Sequence, residues 1–365
     1  MRVLFWGTPA YAVPTLEELH GAEHTIVGVV SQPDRRRGRG GSLTPSPVKQ
    51  RALELGLKVF TPERVRRDLA FQDQLARLDA EISVVVAYGQ ILPKPVLDQP
   101  PLGCWNGHGS LLPRWRGAAP IQWALLEGDG CTGVGIMAME EGLDTGPVLL
   151  EERLSIGLLD NGQQLGDRLS ALTAKLFLKA LPRIAAAGVG PQLERWERLG
   201  LQAQSEDGIT YARLLRREDY QLNWNESALQ LHRRVMALFP GAQTHWQGLR
   251  LKIWATEPLS HGVTGGLTPE AAALVLGGHP WPEVAPGEVL ALKEGVGVVV
   301  GTGDGALLLR EAQLEGKRAC KGTALVQQLN AKVGDRMGES TSQGAGLQQS
   351  VLSGAFDSST PEGLG

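Results

Sequence analysis

Cysteine is scarce in this sequence, with three residues among 365. Cys104, Cys131 and Cys320 are too widely spaced for a zinc cluster, and their odd number argues against a framework of disulfide bonds. Nothing near Cys104 in the sequence marks it as a thiolate, so we expect it to be a small core residue. The composition therefore predicts neither a disulfide-stabilised fold nor a metal site.

Long apolar runs and a strong net charge are also missing. No apolar stretch approaches the length that spans a membrane, and Met1 leads directly into a strand pattern rather than into a basic segment followed by a long apolar one. The net charge is −3, so the chain as a whole is not a polycation that coats nucleic acid, and any RNA contact must be local. We predict a cytoplasmic protein without membrane contact, and we expect a monomer.

The glycine fingerprint of dinucleotide binding is absent after the first predicted strand. Residues 2–6 form a short apolar run, but Gly7 is followed by Thr8 and Pro9 instead of the Gly-x-Gly-x-x-Gly pattern. This argues against a nicotinamide oxidoreductase. The run is nevertheless followed by a helical pattern and by a second apolar strand at residues 25–30, which together predict a βαβ unit and a mainly parallel sheet.

The length exceeds that of one ordinary domain, so two cores are expected. The first domain should be an α/β, doubly wound structure over residues 1–188, followed by a linker over residues 189–207. Five short strands with turn glycines over residues 208–335 are typical of a small OB-like β-barrel, and residues 259–285 look like an inserted Gly/Pro-rich loop within it. Residues 336–365 are rich in Gly, Ser, Gln and Thr and are predicted to be a disordered tail.

The most reactive stretch is Gly103-Cys-Trp-Asn-Gly-His-Gly-Ser-Leu-Leu-Pro-Arg-Trp-Arg-Gly-Ala-Ala-Pro120. If the preceding strand continues through it, Asn106 and His108 leave the same face and can converge on one ligand atom. An amide and a protonated imidazole would both donate to an oxygen that gains negative charge. Asp144, in Glu141-Gly-Leu-Asp-Thr-Gly146, is the carboxylate best placed to hold the imidazole in one tautomer and to favour its charged form. Turn chemistry offers an alternative, in which Asn106 and Asp144 close turns and His108 is a core imidazole.

These two motifs, in this order, resemble the signature of the folate-dependent formyltransferases, and the resemblance runs to about residue 335. It implies a formyltransferase-type Rossmann-like first domain in which Asn106, His108 and Asp144 are catalytic. It also implies that 10-formyltetrahydrofolate is the co-substrate, that the acceptor is the α-amino group of initiator methionyl-tRNA, and that no metal is needed. Residues of the loop after the strand at 82–88 are plausible partners of the pterin, although Tyr88 and Ile91 can equally pack the sheet. The expected folate-binding residues are Ser110, Leu111, Leu112, Pro113, Ala87, Tyr88, Gln90, Ile91 and Leu92.

The densest positive charge is Asp34-Arg-Arg-Arg-Gly-Arg-Gly40. Such a run is usually a solvated loop, but arginines on a Gly-rich segment also suit phosphate contacts. In the resembled family this loop reaches the tRNA acceptor stem, which implies tRNA contacts for Arg36, Arg37 and Arg39. The chain departs from the family at Gly41 and Ser42, where two lysines are common, and at Phe239-Pro-Gly241, where Asn-Pro-Trp-Pro is usual.

Three other functions remain as alternatives. A formyltransferase acting on a small amine, such as a sugar nucleotide or a purine precursor, would share the motifs. The Arg-rich loop and the second domain argue against it. A non-catalytic RNA-binding protein on a degenerate enzyme fold would not need Asn106, His108 and Asp144 together. A nicotinamide enzyme lacks its glycine fingerprint.

Overall fold

A computed structural model of the chain describes residues 1–22, 24–37, 41–260, 262–263, 265–277 and 285–338. The strands of the first domain, in chain order, are β1 (Arg2–Gly7), β2 (Thr25–Val30), β3 (Arg35–Arg37), β4 (Ser42–Thr44), β5 (Val59–Phe60), β6 (Ile82–Val86), β7 (Cys104–His108), β8 (Arg116–Gly117), β9 (Cys131–Ala138) and β10 (Val148–Ser155). Its helices are α1 (Val13–Gly21), α2 (Pro47–Glu54), α3 (Leu69–Ala76), α4 (Lys94–Leu97), α5 (Pro120–Glu127) and α6 (Gly162–Ala187).

The first domain is organised around a seven-stranded sheet of order β10-β9-β7-β6-β1-β2-β5. The pairs β7/β6, β6/β1, β1/β2 and β2/β5 are parallel, whereas β9 runs antiparallel to both β7 and β10. The prediction of a mainly parallel sheet is confirmed. The carboxyl ends of β1, β6 and β7 therefore lie at one edge, which is where open α/β sheets bind ligands.

Helices cover both faces of this sheet. Successive side chains of β1 point to opposite faces and pack in two different apolar clusters. Val3 and Phe5 pack in the cluster that contains α1 and α6, whereas Leu4 and Trp6 pack in the cluster that contains α3 and α4. All four side chains are buried, and burial of each stabilises the fold by roughly 1.5–3 kcal/mol. The sheet is thus a buried layer between two helical layers.

Local signals fix several helix ends. The hydroxyl of Ser46 accepts the N–H of Lys49 at 3.0 Å, and Pro47 is the first residue of α2. Asn161 caps α6 through a reciprocal pair with Gln164. These caps define where each helix begins relative to the sheet.

The region predicted as a loose linker contains a helix. α7 (Gln192–Arg198) follows α6, and its buried Arg195 donates to the carbonyl oxygen of Leu102 at 2.7 Å, directly before β7. β11 (Tyr211–Ala212) then forms a parallel ladder with β8. Neither element was predicted from the sequence, because short, polar segments carry weak periodicity.

The second domain contains an antiparallel sheet of order β12-β13-β16-β15-β14, with β17 paired to β16. The elements, in chain order, are α8 (Ala228–Ala237), β12 (Gln243–Trp246), β13 (Leu249–Leu259), α9 (Pro269–Leu276), β14 (Val289–Lys293), β15 (Gly297–Gly301), β16 (Ala306–Leu314), β17 (Cys320–Lys321) and α10 (Gly322–Leu329). Arg336 and Met337, predicted to belong to the tail, instead form bridges to Glu288 and Trp246 at the two ends of this sheet. Residues 339–365 of the predicted tail lie outside the described residues.

The inserted segment at 259–285 is not wholly a loop, since it contains α9. Thr268 caps the helix, and the carboxylate of Glu257 on β13 accepts from the Thr268 amide at 2.7 Å and hydroxyl at 2.8 Å. Ala271 packs in a small buried cluster with Leu259 and Leu308. The sequence Thr268-Pro269 was itself a helix-start signal, but the surrounding glycines obscured it.

The two domains share a continuous apolar core. One buried cluster extends from the first sheet through α6 to Leu231 and Val235 of α8 and on into the second sheet. At this contact, Nε2 of the buried His232 lies 2.8 Å from the carbonyl oxygen of Leu158, and its Nδ1 lies 3.0 Å from the Thr256 hydroxyl. The carbonyl can only accept, so Nε2 carries the proton, and a neutral ring accepts the hydroxyl at Nδ1.

The His232 contact predicts acid sensitivity of the fold. Burial lowers the pKa of His232 from 6.5 to about 4, so between these values the unfolded chain binds a proton that the folded chain excludes. The stability that His232 contributes is therefore lost as pH falls, by about 2 kcal/mol between pH 7 and pH 4.5. Chemical unfolding should show this loss in the wild type and a correspondingly smaller loss in His232→Gln. The exposed His20→Gln should behave as the wild type, and an equal loss in His232→Gln would contradict the assignment.

Candidate active site

Asn106 and His108 lie next to each other on one face of β7, and Asp144 approaches them from the loop after β9. The loop returns to this place because β9 pairs antiparallel with β7, with Ala138 opposite Trp105. Nδ2 of Asn106 lies 3.5 Å from Oδ1 of Asp144, and Nδ1 of His108 lies 3.8 Å from Oδ2. The structure thus brings together the amide, the imidazole and the carboxylate that the two motifs supply.

Gly107 makes this arrangement possible from the opposite face of the strand. A Cβ atom there would lie 2.5 Å from Cγ2 of Thr173 and 2.8 Å from the ring of Phe177, both on α6. The helix therefore packs directly on the backbone of β7, which fixes the strand between Asn106 and His108. This close approach explains a glycine between them.

The tautomer of His108 follows from a backbone contact. Its Nε2 lies 2.9 Å from the carbonyl oxygen of Trp115, which can only accept, so Nε2 carries a proton. Nδ1, which faces Asp144, is then the ring nitrogen that can gain or lose a proton. The side chain of His108 is 5% exposed and that of Asp144 is 16% exposed, so the pair interacts with little solvent between them.

Asp144 is held by the backbone around it. Its Oδ2 accepts the N–H of Gly117 at 2.8 Å, and its own φ is +52°, in the left-handed region that non-glycine residues rarely adopt. Backbone strain of this kind persists only where surrounding contacts enforce it. The contact with Gly117 aims the carboxylate at His108 and Asn106.

The predicted folate residues fall into two segments beside this cluster. Val85 of β6 pairs with Asn106, so the segment that begins at Ala87 continues past the end of the sheet next to His108. Ala87 and Ile91 are exposed, with Ala87 in a left-handed conformation at φ +48°, whereas Tyr88 and Leu92 are each 2% exposed. Exposed backbone and buried anchors together make a loop that can present peptide groups to a flat ligand.

Two of the predicted polar side chains are already used within the protein. Oε1 of Gln90 accepts the N–H of Val65 at 3.0 Å, and the hydroxyl of Ser110 donates to the carbonyl oxygen of Arg114 at 2.6 Å. Leu111 lies against β9, where a Cβ on Gly133 would be 2.4 Å from it. Leu112 and Pro113, both half-buried, continue the segment. Gln90 and Ser110 hold their loops in shape.

Arg35–Arg37 of the arginine run form a strand rather than part of a loop, and we call the antiparallel pair β3/β4 the hairpin. β3 and β4 pair with Arg36 opposite Leu43, and the exposed Arg36 donates to the carbonyl oxygen of Gly41 at 3.1 Å. Arg37 occupies the last position of β3. Arg39 lies outside the described residues. A cavity of about 230 Å³ lies between this hairpin and the predicted folate loop, lined by Thr8, Gln32, Pro33, Arg35, Thr44, Ser46, Ala87, Tyr88 and Gly89.

The surroundings of Cys104 do not favour a thiolate. Cys104 is buried, and burial raises the pKa of its thiol to about 12, which keeps it protonated at neutral pH. Among the residues that the structure describes, no group of three or more His, Cys, Asp or Glu side chains is arranged to hold a metal ion. Within the same ranges no helix is long and apolar enough to cross a membrane.

Several residues beside the site were missed by the sequence analysis. The carbonyl of Trp115 and the amide of Gly117 act through the backbone, which leaves no side-chain signal in a sequence. Gln204 lies in the segment predicted as the linker and contacts the Asp144 loop. Thr210 lies just after that segment, and its hydroxyl accepts the N–H of Trp115 at 2.9 Å. Their distance along the chain from either motif concealed them.

Two family models match this chain, one over its first part and one over its second. The family model described as Formyl transferase matches residues 1–181, and the one described as Formyl transferase, C-terminal domain, matches residues 214–330. A methionyl-tRNA formyltransferase of Synechococcus sp. (strain WH7803) is 64% identical over 342 residues, which is 93% of this chain and 98% of that protein. The corresponding protein of Synechococcus sp. (strain RCC307) is 62% identical over 90% of this chain and all of that protein.

Solved structures with lower identity have the same fold. HypX from Aquifex aeolicus in complex with tetrahydrofolic acid aligns with a TM-score of 0.55 at 16% identity, over 91% of this chain and 48% of that one. An N-formyltransferase from Helicobacter canadensis aligns with a TM-score of 0.57 at 16% identity, over 85% of this chain and 98% of that one. The identity to the two Synechococcus proteins extends over nearly the full length of each, and on that basis the chain belongs to the methionyl-tRNA formyltransferase family.

Proposed function

We propose that the protein transfers the formyl group of 10-formyltetrahydrofolate to the α-amino group of initiator methionyl-tRNA, giving N-formylmethionyl-tRNA for translation initiation. One observation carries this proposal: in a chain of this family, the side chains of Asn106 and His108 both lie beside the carboxylate of Asp144, at 3.5 Å and 3.8 Å. An amide and an imidazole on one carboxylate suit acyl transfer to an amine, because that reaction passes through a tetrahedral oxyanion.

The nucleophile needs little activation. An α-amino group titrates near pH 8, at about 7.7–8.0 in model peptides, so a useful fraction is neutral at physiological pH. Its nitrogen attacks the formyl carbon, the carbonyl electrons move to oxygen, and the bond from carbon to N10 of the folate then breaks. One proton leaves the amine and one is delivered to N10.

Asn106 and His108 supply the hydrogen bonds to the developing oxyanion. With a proton on Nδ1, His108 donates from the nitrogen that faces the site, while Nε2–H remains on the Trp115 carbonyl. Asp144 balances the positive charge of the ring and is the nearest carboxylate that can receive the amine proton, directly or through one water. Each residue thus has one task at the same carbon centre.

The co-substrate and acceptor approach from the carboxyl edge of the sheet. We assign folate binding to Ser110, Leu111, Leu112 and Pro113 and to the loop of Ala87, Tyr88, Gln90, Ile91 and Leu92. The position of this loop beside Asn106 supports its part in the assignment. Arg36 and Arg37 of β3, together with Arg39, contact tRNA phosphates. The exposure of Arg36, and the cavity between the hairpin and the folate loop, support an acceptor that enters there.

The second domain is proposed to be an OB-like barrel that helps to hold the tRNA. The amide of Val289 on β14 donates to Asp335 at 2.8 Å, and the amide of Gly338 donates to His245 on β12 at 2.9 Å. Residues 335–338 therefore connect the two edge strands of the antiparallel sheet, as closure of a barrel requires. We place the domain boundaries near residues 188 and 208 and regard the protein as a cytoplasmic monomer.

A direct assay tests the acceptor. Purified protein is incubated with 10-formyltetrahydrofolate and methionyl-tRNA, free methionine or an amino-sugar nucleotide, and formyl transfer is followed. We expect transfer to the tRNA-borne amine alone, and His108→Ala serves as the inactive control. Efficient formylation of the amino sugar, with none of methionyl-tRNA, would instead select the small-amine alternative.

A further inference from the structure

The carboxamide of Gln204 connects the two loops that form the site. Its Nε2 donates to the carbonyl oxygens of Asp144 at 2.9 Å and Gly146 at 2.7 Å. Its Oε1 accepts from Nε of Arg116 at 3.1 Å and from a terminal nitrogen of the same guanidinium at 2.7 Å. Both N–H groups and both lone pairs of the amide are therefore in use. A solvent-facing linker side chain would not be held in this way.

One end of this bridge holds the loop of Asp144. The strained φ of +52° at Asp144 needs outside contacts to persist, and Gln204 bonds the carbonyl of that same residue. At Gly146 the loop is so close to β9 that a Cβ would fall 1.8 Å from the carbonyl oxygen of Ala138. Gln204 thus binds the carbonyl of the residue with the strained φ and the carbonyl of the residue that packs most closely against β9.

The other end holds the segment that orients His108 and Asp144. Arg116 is 7% exposed, and a buried guanidinium without an acceptor is costly. Its neighbours are Trp115, whose carbonyl receives Nε2–H of His108, and Gly117, whose N–H binds the Asp144 carboxylate. A shift of Arg116 would move both partners at once.

We propose that Gln204 is a positioning residue that holds Asp144 in register with His108 from the interdomain linker. The proposal rests on the role of Asp144 in the proposed function. Gln204 contacts the backbone of Asp144 and the side chain of Arg116, so its influence on the reaction passes through those residues. The linker is then part of the catalytic apparatus as well as the connection between domains.

Steady-state kinetics with methionyl-tRNA test this proposal. Displacement of a reacting group by about 1 Å can cost on the order of 100-fold in rate, so we expect Gln204→Ala to lower kcat by roughly 10–100-fold. Because Gln204 acts on the reacting geometry, KM for methionyl-tRNA should stay within about threefold of the wild type. The exposed Gln202→Ala in the same linker is the matched control and should retain wild-type kcat.

A second variant separates positioning from simple stabilisation. Gln204→Glu keeps an acceptor for Arg116 but replaces the donor by a carboxylate oxygen facing the carbonyls of Asp144 and Gly146. We expect kcat to remain as low as in Gln204→Ala with the protein folded. Full activity in Gln204→Glu would overturn the proposal, and this variant also carries the test if Gln204→Ala does not fold.

A double-mutant cycle with Asp144→Asn tests the positioning role of Gln204 separately from the proposed role of Asp144. If Gln204 acts through Asp144, adding Gln204→Ala to Asp144→Asn should lower kcat by less than about threefold further. A full multiplication of the two effects would refute positioning while leaving the role of Asp144 intact. Wild-type turnover in Asp144→Asn alone would instead remove the proposed function on which the inference rests.

Discussion

Replacement of Asn106 or His108 by alanine is expected to slow formyl transfer by about 100–1000-fold, the usual cost of losing one oxyanion donor. Replacement of Asp144 by asparagine is expected to slow it by a similar factor, because the His108 donor then loses the charge that balances its own. The loss should appear in kcat, because these groups act on charge that develops only in the transition state. Asp144→Asn keeps the shape of the side chain but loses the charge that faces Nδ1 of His108. Single-turnover transfer from 10-formyltetrahydrofolate to methionyl-tRNA measures the effect directly.

Two measurements accompany this prediction. Equilibrium binding of the folate should persist in all three variants, because the proposed folate contacts come from other segments. The exposed His20→Ala should retain the wild-type rate. If Asn106→Ala or His108→Ala turned over as fast as the wild type, the assignment of the oxyanion donors would be wrong.

Gly117→Ala should have the second largest effect. Gly117 has φ +116°, and a Cβ there would lie 2.8 Å from the carbonyl oxygen of Ala212 on β11. The alanine must therefore move the backbone, and with it the N–H that binds Oδ2 of Asp144 at 2.8 Å. Misplacement of Asp144 should reduce kcat by on the order of 100-fold. The same steady-state assay, with the thermal midpoint measured in parallel, checks this.

Gly130→Ala is the matched control for Gly117→Ala. Among the described residues other than its two chain neighbours, no heavy atom lies within 4 Å of a Cβ placed at Gly130, so the substitution meets open space. Its rate and thermal midpoint should equal those of the wild type. An active Gly117→Ala protein would mean that the Asp144 carboxylate does not depend on this amide for its orientation.

The sequence predicted which side chains of the two motifs lie close together in the candidate site. Asn106 and His108 two residues apart on a strand, with a carboxylate between glycines, predicted a cluster that the structure brings together. The mainly parallel sheet followed from apolar runs separated by helical periodicity, because buried parallel strands leave a strong signal.

The parts that the sequence did not predict depend on tertiary contacts. The partners of His108 and Asp144 are the backbone carbonyl of Trp115 and the backbone amide of Gly117. Almost every residue carries such groups, so only the folded structure shows which of them make these contacts. Gln204 is separated from Asp144 by 60 positions, so no local rule connects them. α7 was missed for a similar reason, since this short helix is held by its buried Arg195 and by Trp196, which packs against the core, rather than by a long apolar stripe.

In the arginine-rich segment, composition predicted a loop where the structure has a strand. The charge and the glycines indicated a solvated loop, yet Arg35, Arg36 and Arg37 pair with the strand that follows. The hydrogen bonds between β3 and β4 are made by backbone groups, which every residue carries, so composition alone does not reveal this pairing. The charge remains available at the surface, since Arg35 and Arg36 are exposed.

The most direct test is the single-turnover rate of the variant carrying Asn106→Ala, His108→Ala and Asp144→Asn together. Groups that serve one oxyanion as a unit lose their effect together, so the triple variant should be slower than the slowest single variant by less than about tenfold. Losses that multiply across the three substitutions would show that the amide, imidazole and carboxylate act independently, and would contradict their convergence on one carbonyl oxygen.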